Sequence, residues 1–243
     1  MALGLEDEEV LVNKHRYGER SGDHLRYMKY YARSEEENQK LGGVWLKGYV
    51  TPLLSRFTVE EDMADDEYRH SDMGSLTLLF RQPVAALQVL TKDGTWKYVK
   101  PQMNALTVNI ADALEFLTSE VPKLCLLSES TNTDNGVDGF LKSSIHRVIA
   151  PPKDQAHIDR LGVLYMVRLE DDTDLVPLKD SPVLQELGLV KDQVLGSDGK
   201  PIKAGEWVKQ RIIKNLGNST IQDGDNEVGN VEIVKGVATK YYD

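Results

Sequence analysis

Two histidines and one aspartate are the residues of this 243-residue chain with the clearest potential to bind a metal ion. His70 and Asp72 are separated by one residue, and His146 lies much further along the chain. Because residues i and i+2 of an extended strand project to the same side, the first two side chains can reach one ion. Two imidazoles and one carboxylate can occupy one face of an octahedral Fe(II), which leaves the opposite positions for a co-substrate and O₂. The alternative for His70 and Asp72 is a surface turn or a helix N-cap, since His-x-Asp also occurs by chance.

A single arginine, Arg160, stands at the start of the apolar run LGVLY. An arginine that opens a buried strand needs an anionic partner, because an unpaired buried charge is costly. Its planar guanidinium fits a carboxylate with two parallel hydrogen bonds. Arg160 therefore either binds the carboxylate of a ligand or forms a salt bridge with one of the protein's own acidic residues.

Short β segments must position these residues. Runs rich in β-branched, aromatic and aliphatic residues predict strands at 25–31, 43–48, 76–80, 87–90, 96–99, 105–110, 144–149 and 161–167. Asp93-Gly94 lies between two of these runs and predicts a hairpin turn. Several short strands separated by turn residues favour a sandwich or barrel over a parallel α/β sheet. Apolar residues at helical spacing predict helices at 181–188 and 204–216.

The composition excludes several classes of protein. The formal net charge is −10 and the pI is about 5.1, which argues against a nucleic-acid binder with its basic face. No apolar run approaches the ~18 residues needed to span a bilayer, and the acidic N-terminus lacks the features of a secretory signal. The lone cysteine, Cys125, fits a reducing compartment. We therefore expect a cytoplasmic protein with no membrane or nucleic-acid partner.

The order of segments along the chain resembles a known family. HSDMGSLTLLF, LQVLTKDGTWKYVKP, ALTVNIADALEFLT, SSIHRV and RLGVLYMVR follow one another as in the C-terminal half of the isopenicillin N synthase-like 2-oxoglutarate/Fe(II) dioxygenases, especially fungal members. The resemblance implies a mainly β fold, a double-stranded β-helix (jelly roll) with flanking helices. It also implies that His70, Asp72 and His146 hold Fe(II), with 2-oxoglutarate and O₂ as co-substrates.

The same resemblance assigns further residues and an activity. Arg160 would bind the distal carboxylate of 2-oxoglutarate, assisted by a tyrosine of the first strand, either Tyr30 or Tyr31. Asp112, which follows the strand before the distal histidine, is interpreted as structural. The implied activity is hydroxylation or desaturation of a small organic molecule, in secondary metabolism. The implied organisation is a polar lead-in at 1–21, the jelly roll at 22–170 and a C-terminal helical extension and tail at 171–243.

The chain also departs from the family, and the departures leave alternatives open. Gly162 stands where relatives usually have a serine that binds the co-substrate, which favours a rival Fe(II) oxidase of the same fold that does not use 2-oxoglutarate. The family's N-terminal helical portion is absent, so we expect an apolar surface outside the barrel. Residues 49–69 and 120–138 interrupt segments that are continuous in relatives; we interpret them as translated introns, the alternative being genuine loop insertions. A non-catalytic, truncated or mis-spliced product is the remaining alternative.

Overall fold

A computed structural model describes residues 3–40, 70–118, 140–190, 199–218, 231–234 and 237–240. The predicted strand at 43–48 and the interruptions at 49–69 and 120–138 lie outside the described residues. Cys125 lies outside them as well. The choice between translated introns and loop insertions therefore stays a prediction.

Nine strands and five helices make up the described chain. The strands are β1 (His24–Tyr30), β2 (Leu76–Phe80), β3 (Leu87–Leu90), β4 (Trp96–Tyr98), β5 (Leu106–Ile110), β6 (His146–Val148), β7 (Arg160–Val167), β8 (Val231–Val234) and β9 (Val237–Lys240). The helices are α1 (Glu9–Val12), α2 (Glu35–Lys40), α3 (Asp112–Leu117), α4 (Pro182–Glu186) and α5 (Ala204–Asn218), with a 3₁₀ turn at Lys153–Gln155. Strands β1 to β7 match the predicted runs to within two residues at each end.

Two antiparallel sheets form the β part of the molecule. One has the strand order β1-β7-β2-β5 and the other the order β4-β3-β6, while β8 and β9 pair as a separate hairpin. The predicted hairpin at Asp93-Gly94 joins β3 to β4, and Gly94 adopts the positive φ of 76° that this turn requires. None of the helices within the described ranges has the length and apolar character needed to cross a bilayer.

The largest hydrophobic cluster among the described residues combines residues from the predicted lead-in, the jelly roll and the C-terminal extension. Leu3 and Leu5 are only 7% exposed each and belong to the same buried cluster as Phe116 of α3, Leu184 of α4 and Trp207 of α5. The lead-in and the start of the C-terminal extension thus contribute residues to one core with α3, while the division into three parts stays a prediction. The apolar residues of the lead-in are interrupted by the acidic run EDEE and show no clear hydrophobic period, so the sequence predicts a polar segment there.

The four-stranded sheet has one buried face and one exposed face. Alternate residues such as Thr77, Leu79 and Leu164 point inward and are buried. The outward positions include large apolar side chains that are more than a third exposed: Leu25, Tyr27, Phe80, Leu106, Val108 and Leu161. An apolar surface on the outside of the barrel was predicted from the sequence, and this sheet face has that character.

Candidate metal centre

A direct backbone pairing brings His70 and His146 together. The His70 amide donates to the His146 carbonyl at 3.0 Å, and the His146 amide donates to the His70 carbonyl at 2.9 Å. Their ring centroids lie 4.3 Å apart. Of the two residues in the His-x-Asp motif, only His70 takes part in this β-bridge, and Asp72 lies in the irregular segment before β2.

Close backbone contacts hold that irregular segment in place. A Cβ atom at Gly74 would lie 2.3 Å from the Val167 carbonyl oxygen, so only glycine allows this approach to β7. The Ser75 amide then donates to the same carbonyl at 2.8 Å, and the Asp112 amide donates to the Asp72 carbonyl at 2.9 Å. Asp72 is thereby fixed between β7 and the start of α3.

The candidate ligand atoms of His70, Asp72 and His146 all lie within 4.8 Å of one another. His146 Nδ1 is 2.9 Å from the Ser144 carbonyl oxygen, so this nitrogen carries the proton and donates. The other ring nitrogen, Nε2, is the one left to bind a metal, and it lies 3.8 Å from Asp72 Oδ2. Metal-binding histidines typically donate a hydrogen bond from the ring nitrogen that does not bind the metal, which fixes the tautomer.

The Asp72 side chain is buried and held by two donors. Its Oδ2 accepts hydrogen bonds from Thr77 Oγ1 at 2.6 Å and from Asn109 Nδ2 at 3.1 Å. Burial acts to raise the pKa of Asp72, but the nearby imidazole of His146 and the Thr77 hydrogen bond outweigh burial, and the pKa lies below its ordinary value. The carboxylate is therefore in the anionic form that a metal ligand requires. Two imidazoles and one carboxylate form a donor set that fits Fe(II).

Asp112 connects the segments that carry the three residues. Its carboxylate accepts a hydrogen bond from Ser71 at 3.0 Å, from Ser143 at 2.5 Å and from Arg211 of α5. Ser71 lies between His70 and Asp72, and Ser143 precedes β6, so one side chain ties both ligand segments to the helical core. Sequence reasoning singled out Asp112 as structural but missed its partner Arg211, because their distance in the chain carries no local signal.

Arg160 is almost completely buried, with 1% of its surface exposed. Its Nε donates to Gln82 Oε1 at 2.7 Å, and its guanidinium carbon lies 4.8 Å from the centroid of the Tyr30 ring. Within the part of the chain that the structure describes, Arg160 has no salt bridge to a carboxylate, and its Nη1 has no hydrogen-bond partner. Burial lowers the pKa of Arg160, which reflects the cost of this charge. A carboxylate ligand would supply an acceptor for the unpartnered Nη1.

The two candidate tyrosines of the first strand differ in position. Tyr30 is the direct neighbour of Arg160 in the pairing of β1 with β7, and it is half-buried. Burial raises the pKa of Tyr30 despite the nearby Arg160, so its phenol is protonated at neutral pH. Tyr31 is 67% exposed, and its ring lies 4.6 Å from Lys29 Nζ. The structure therefore brings Tyr30 to Arg160 and leaves Tyr31 at the surface.

Comparison with known proteins gives consistent results for the family and the fold. A family model described as the 2OG-Fe(II) oxygenase superfamily matches residues 22–163. A UPF0676 protein of Schizosaccharomyces pombe is 31% identical over 164 residues, which cover 66% of this chain and 40% of that protein. A 2-oxoglutarate-dependent dioxygenase of Gibberella zeae is 34% identical over 113 residues, which cover 46% of this chain and 27% of that protein. The chain thus spans less than half the length of these curated relatives.

A solved structure with a similar fold comes from Neurospora crassa. This full-length protein, crystallised with α-ketoglutarate and 5-formyluracil, superimposes with a TM-score of 0.52 at 22% identity, covering 79% of this chain and 47% of that one. The likeness confirms the predicted double-stranded β-helix with flanking helices.

Proposed function

The chain belongs to the 2OG-Fe(II) oxygenase superfamily, and we propose that it is a 2-oxoglutarate- and Fe(II)-dependent oxygenase that hydroxylates or desaturates a small organic molecule in secondary metabolism. The observation that carries this proposal is Arg160, a buried cation that has no carboxylate partner among the described residues. A protein seldom keeps such a group without a function, because burying an unpaired charge is costly.

The metal would be held by His70, Asp72 and His146. When bound, Fe(II) together with 2-oxoglutarate and O₂ supplies the oxidation of a C–H bond, and 2-oxoglutarate leaves as succinate and CO₂. The chain's own part is to set the geometry of the ligands. The Ser144 carbonyl fixes the His146 tautomer, and Thr77 and Asn109 fix the orientation of the Asp72 carboxylate.

The distal carboxylate of the co-substrate would be bound by Arg160 and Tyr30. Both lie where β1 pairs with β7, and the low exposure of Arg160 strengthens its attraction for a carboxylate. No separate acid or base is assigned, since the proposed residues act by positioning.

An Fe(II) oxidase of the same fold that does not use 2-oxoglutarate is the second candidate. Gly162 favours it, because relatives usually place a co-substrate-binding serine hydroxyl at this position and glycine has none. The unpartnered Nη1 of Arg160 favours the 2-oxoglutarate-dependent enzyme. A non-catalytic product with no stable active site would lack iron affinity altogether.

The proposed partner is a small-molecule substrate, and the proposed location is the cytoplasm. The net charge of −10 supports the first by arguing against nucleic acid, and the single cysteine supports the second. Fractionation of cells that express the full-length protein checks the location.

The function is tested by anaerobic titration of the purified protein, first with Fe(II) and then with 2-oxoglutarate, monitoring the visible metal-to-ligand charge-transfer band. We expect the band in the native protein. We expect His70→Ala to lose iron, and Arg160→Ala to keep iron but lose the band. Iron binding without a band in the native protein would instead favour the oxidase.

A further inference from the structure

A buried glutamine lies against Arg160 at the end of the four-stranded sheet. We propose that the side-chain amide of Gln82 is a second donor to the distal carboxylate of 2-oxoglutarate, in the role that relatives give to a serine at the position of Gly162. The proposal rests on the proposed function, because it concerns the same co-substrate. It goes beyond that function by assigning a residue that is particular to this chain.

The first argument is that the amide is oriented and incompletely bonded. Gln82 is 5% exposed, and its Oε1 accepts the hydrogen bond from Arg160 Nε at 2.7 Å. That bond fixes which end of the amide faces the guanidinium. The remaining end, Nε2, is buried and has no hydrogen-bond partner in the described part of the chain, as is also true of Arg160 Nη1. Buried donors are rarely left without an acceptor, so two of them within one bonded arginine–glutamine pair point to a bound ligand as the acceptor.

The second argument is the position of the amide relative to Gly162. A Cβ atom built on Gly162 would lie 3.1 Å from Gln82 Nε2 and 3.6 Å from Met28 Cε. The space where a serine side chain would begin is thus bordered by the glutamine amide. Glycine at position 162 has no hydroxyl donor and leaves the side-chain space empty. Gln82 places its amide donor next to that space, so the two residues are complementary.

The third argument is chemical. A carboxylate has two oxygens with about four acceptor sites, so it can accept from a guanidinium and an amide together. The amide is neutral and adds a directed hydrogen bond without a further buried charge. Its effect should be confined to oxo acids that have a distal carboxylate, because an oxo acid without one has no group that reaches Gln82.

The test uses the full chain loaded anaerobically with Fe(II), and two probes. One probe is 2-oxoglutarate, and the other is 2-oxobutyrate, which chelates iron but lacks the distal carboxylate. Dissociation constants are obtained from the charge-transfer band. We expect Gln82→Ala to weaken 2-oxoglutarate binding about 10-fold or more, and Gln82→Glu to weaken it further because a carboxylate repels the ligand. Neither substitution should change the affinity for 2-oxobutyrate or for Fe(II).

Two further variants make the outcome specific. Adding Gly162→Ser to Gln82→Ala should restore part of the lost 2-oxoglutarate affinity, because the serine supplies a donor in the vacated space. Gln88→Ala removes another buried glutamine that is bonded to an arginine and should leave the affinity unchanged. If the native protein binds 2-oxoglutarate and both Gln82 variants bind it equally well, the role of Gln82 is wrong and the proposed function stands. If the native protein binds iron but not 2-oxoglutarate, both are wrong.

Discussion

Two buried arginine–glutamine pairs, one in each sheet region, share residue types and burial but differ in their unsatisfied donors. Arg160 Nε donates to Gln82 at 2.7 Å, and Arg147 Nε donates to Gln88 at 2.8 Å. Both guanidinium groups lie against an aromatic ring, with Arg160 4.8 Å from the centroid of Tyr30 and Arg147 4.1 Å from that of Trp96. All four polar side chains are less than 9% exposed. By residue type and burial the two pairs are equivalent.

The difference lies in the remaining donors. Arg160 Nη1 and Gln82 Nε2 are buried without a partner in the described residues, whereas neither Arg147 nor Gln88 has such an atom there. The Arg147 pair cross-links β6 to β3 and leaves no buried donor without a partner among the described residues. The proposed carboxylate ligand would supply the acceptor that the Arg160 pair lacks in the described part of the chain. The comparison teaches that a ligand site is marked by unsatisfied hydrogen-bonding capacity, because residue types alone do not separate it from a structural cross-link.

The largest effect expected from this comparison is on co-substrate affinity. Arg160→Leu should weaken 2-oxoglutarate binding by about 100-fold or more, because a charge-assisted pair of hydrogen bonds to the ligand is lost. Arg147→Leu should change it by less than about threefold, since Arg147 has its partners within the protein. Anaerobic titration of the iron-loaded proteins measures both.

A loss of 2-oxoglutarate affinity is informative only if the variant still binds Fe(II). Arg147 adjoins the candidate ligand His146, so each variant is first titrated with Fe(II) alone to establish that the metal still binds. Equal losses of 2-oxoglutarate affinity in the two variants would remove the distinction between the pairs.

The second effect concerns stability without ligand. Replacing the Arg160 pair by apolar residues, as in Arg160→Met with Gln82→Leu, should raise the free energy of unfolding by roughly 1–4 kcal/mol, because unsatisfied buried donors are removed. The corresponding change, Arg147→Met with Gln88→Leu, should not be stabilising, since a satisfied pair is lost. Urea unfolding of the metal-free proteins gives both values. A loss of stability in the first double variant would contradict the idea that the Arg160 pair is incomplete.

Much of the β-strand arrangement was predictable from the sequence, because the alternation of apolar and polar residues and the choice of turn residues act locally. The runs at 76–80 and 87–90 became β2 and β3 with the predicted bounds, and Asp93-Gly94 formed the predicted hairpin. The grouping of His70, Asp72 and His146 followed from segment order, and the described geometry brings them together. Their role as iron ligands stays a prediction that the titrations test.

The partners of these residues could not be predicted, because they depend on register and packing between distant segments. Thr77 reaches Asp72 because it faces inward on β2, but any of several inward residues could have done so. Tyr30 and Tyr31 were not distinguished because the phase of β1 relative to β7 decides which one meets Arg160. Gln82 had no signal of its own, since an isolated glutamine after a strand is ordinary.

The third expected effect is on Fe(II) affinity, and it is tested by comparing two residues of β5. Asn109 and Thr107 are two positions apart and therefore face the same side, but only Asn109 donates to Asp72, at 3.1 Å. Asn109→Ala should weaken Fe(II) binding about 10-fold, because hydrogen-bond partners of metal ligands typically contribute this much. Thr107→Ala should leave it unchanged. Competition with a chromogenic chelator measures the affinities, and equal effects of the two variants would show that Asn109 does not act through Asp72.

The smallest expected effect is on stability and concerns a third arginine, Arg16. Among the described residues Arg16, unlike Arg160, has a carboxylate partner, Glu170. The Arg16 guanidinium donates to Glu170 Oε1 at 2.9 Å and to Glu170 Oε2 at 2.6 Å, and these hydrogen bonds lower the pKa of Glu170 from 4.5 to about 2. A folded-state pKa below the unfolded value contributes stability above the unfolded pKa, and this contribution is lost as the pH falls from 4.5 towards 2.

Comparison of native protein with Glu170→Gln isolates that contribution. Their difference in thermal unfolding temperature should be largest near neutral pH and should shrink as the pH falls below about 4.5, because the native carboxylate is then progressively protonated. The difference should be modest, since the Arg16 side chain is 55% exposed and solvent screens the pair. The Arg160 pair contains no carboxylate, so Gln82→Ala should show a difference from the native protein that does not change over the same pH range. A constant difference for Glu170→Gln would mean that the carboxylate contributes through its shape and packing, with no contribution from its charge.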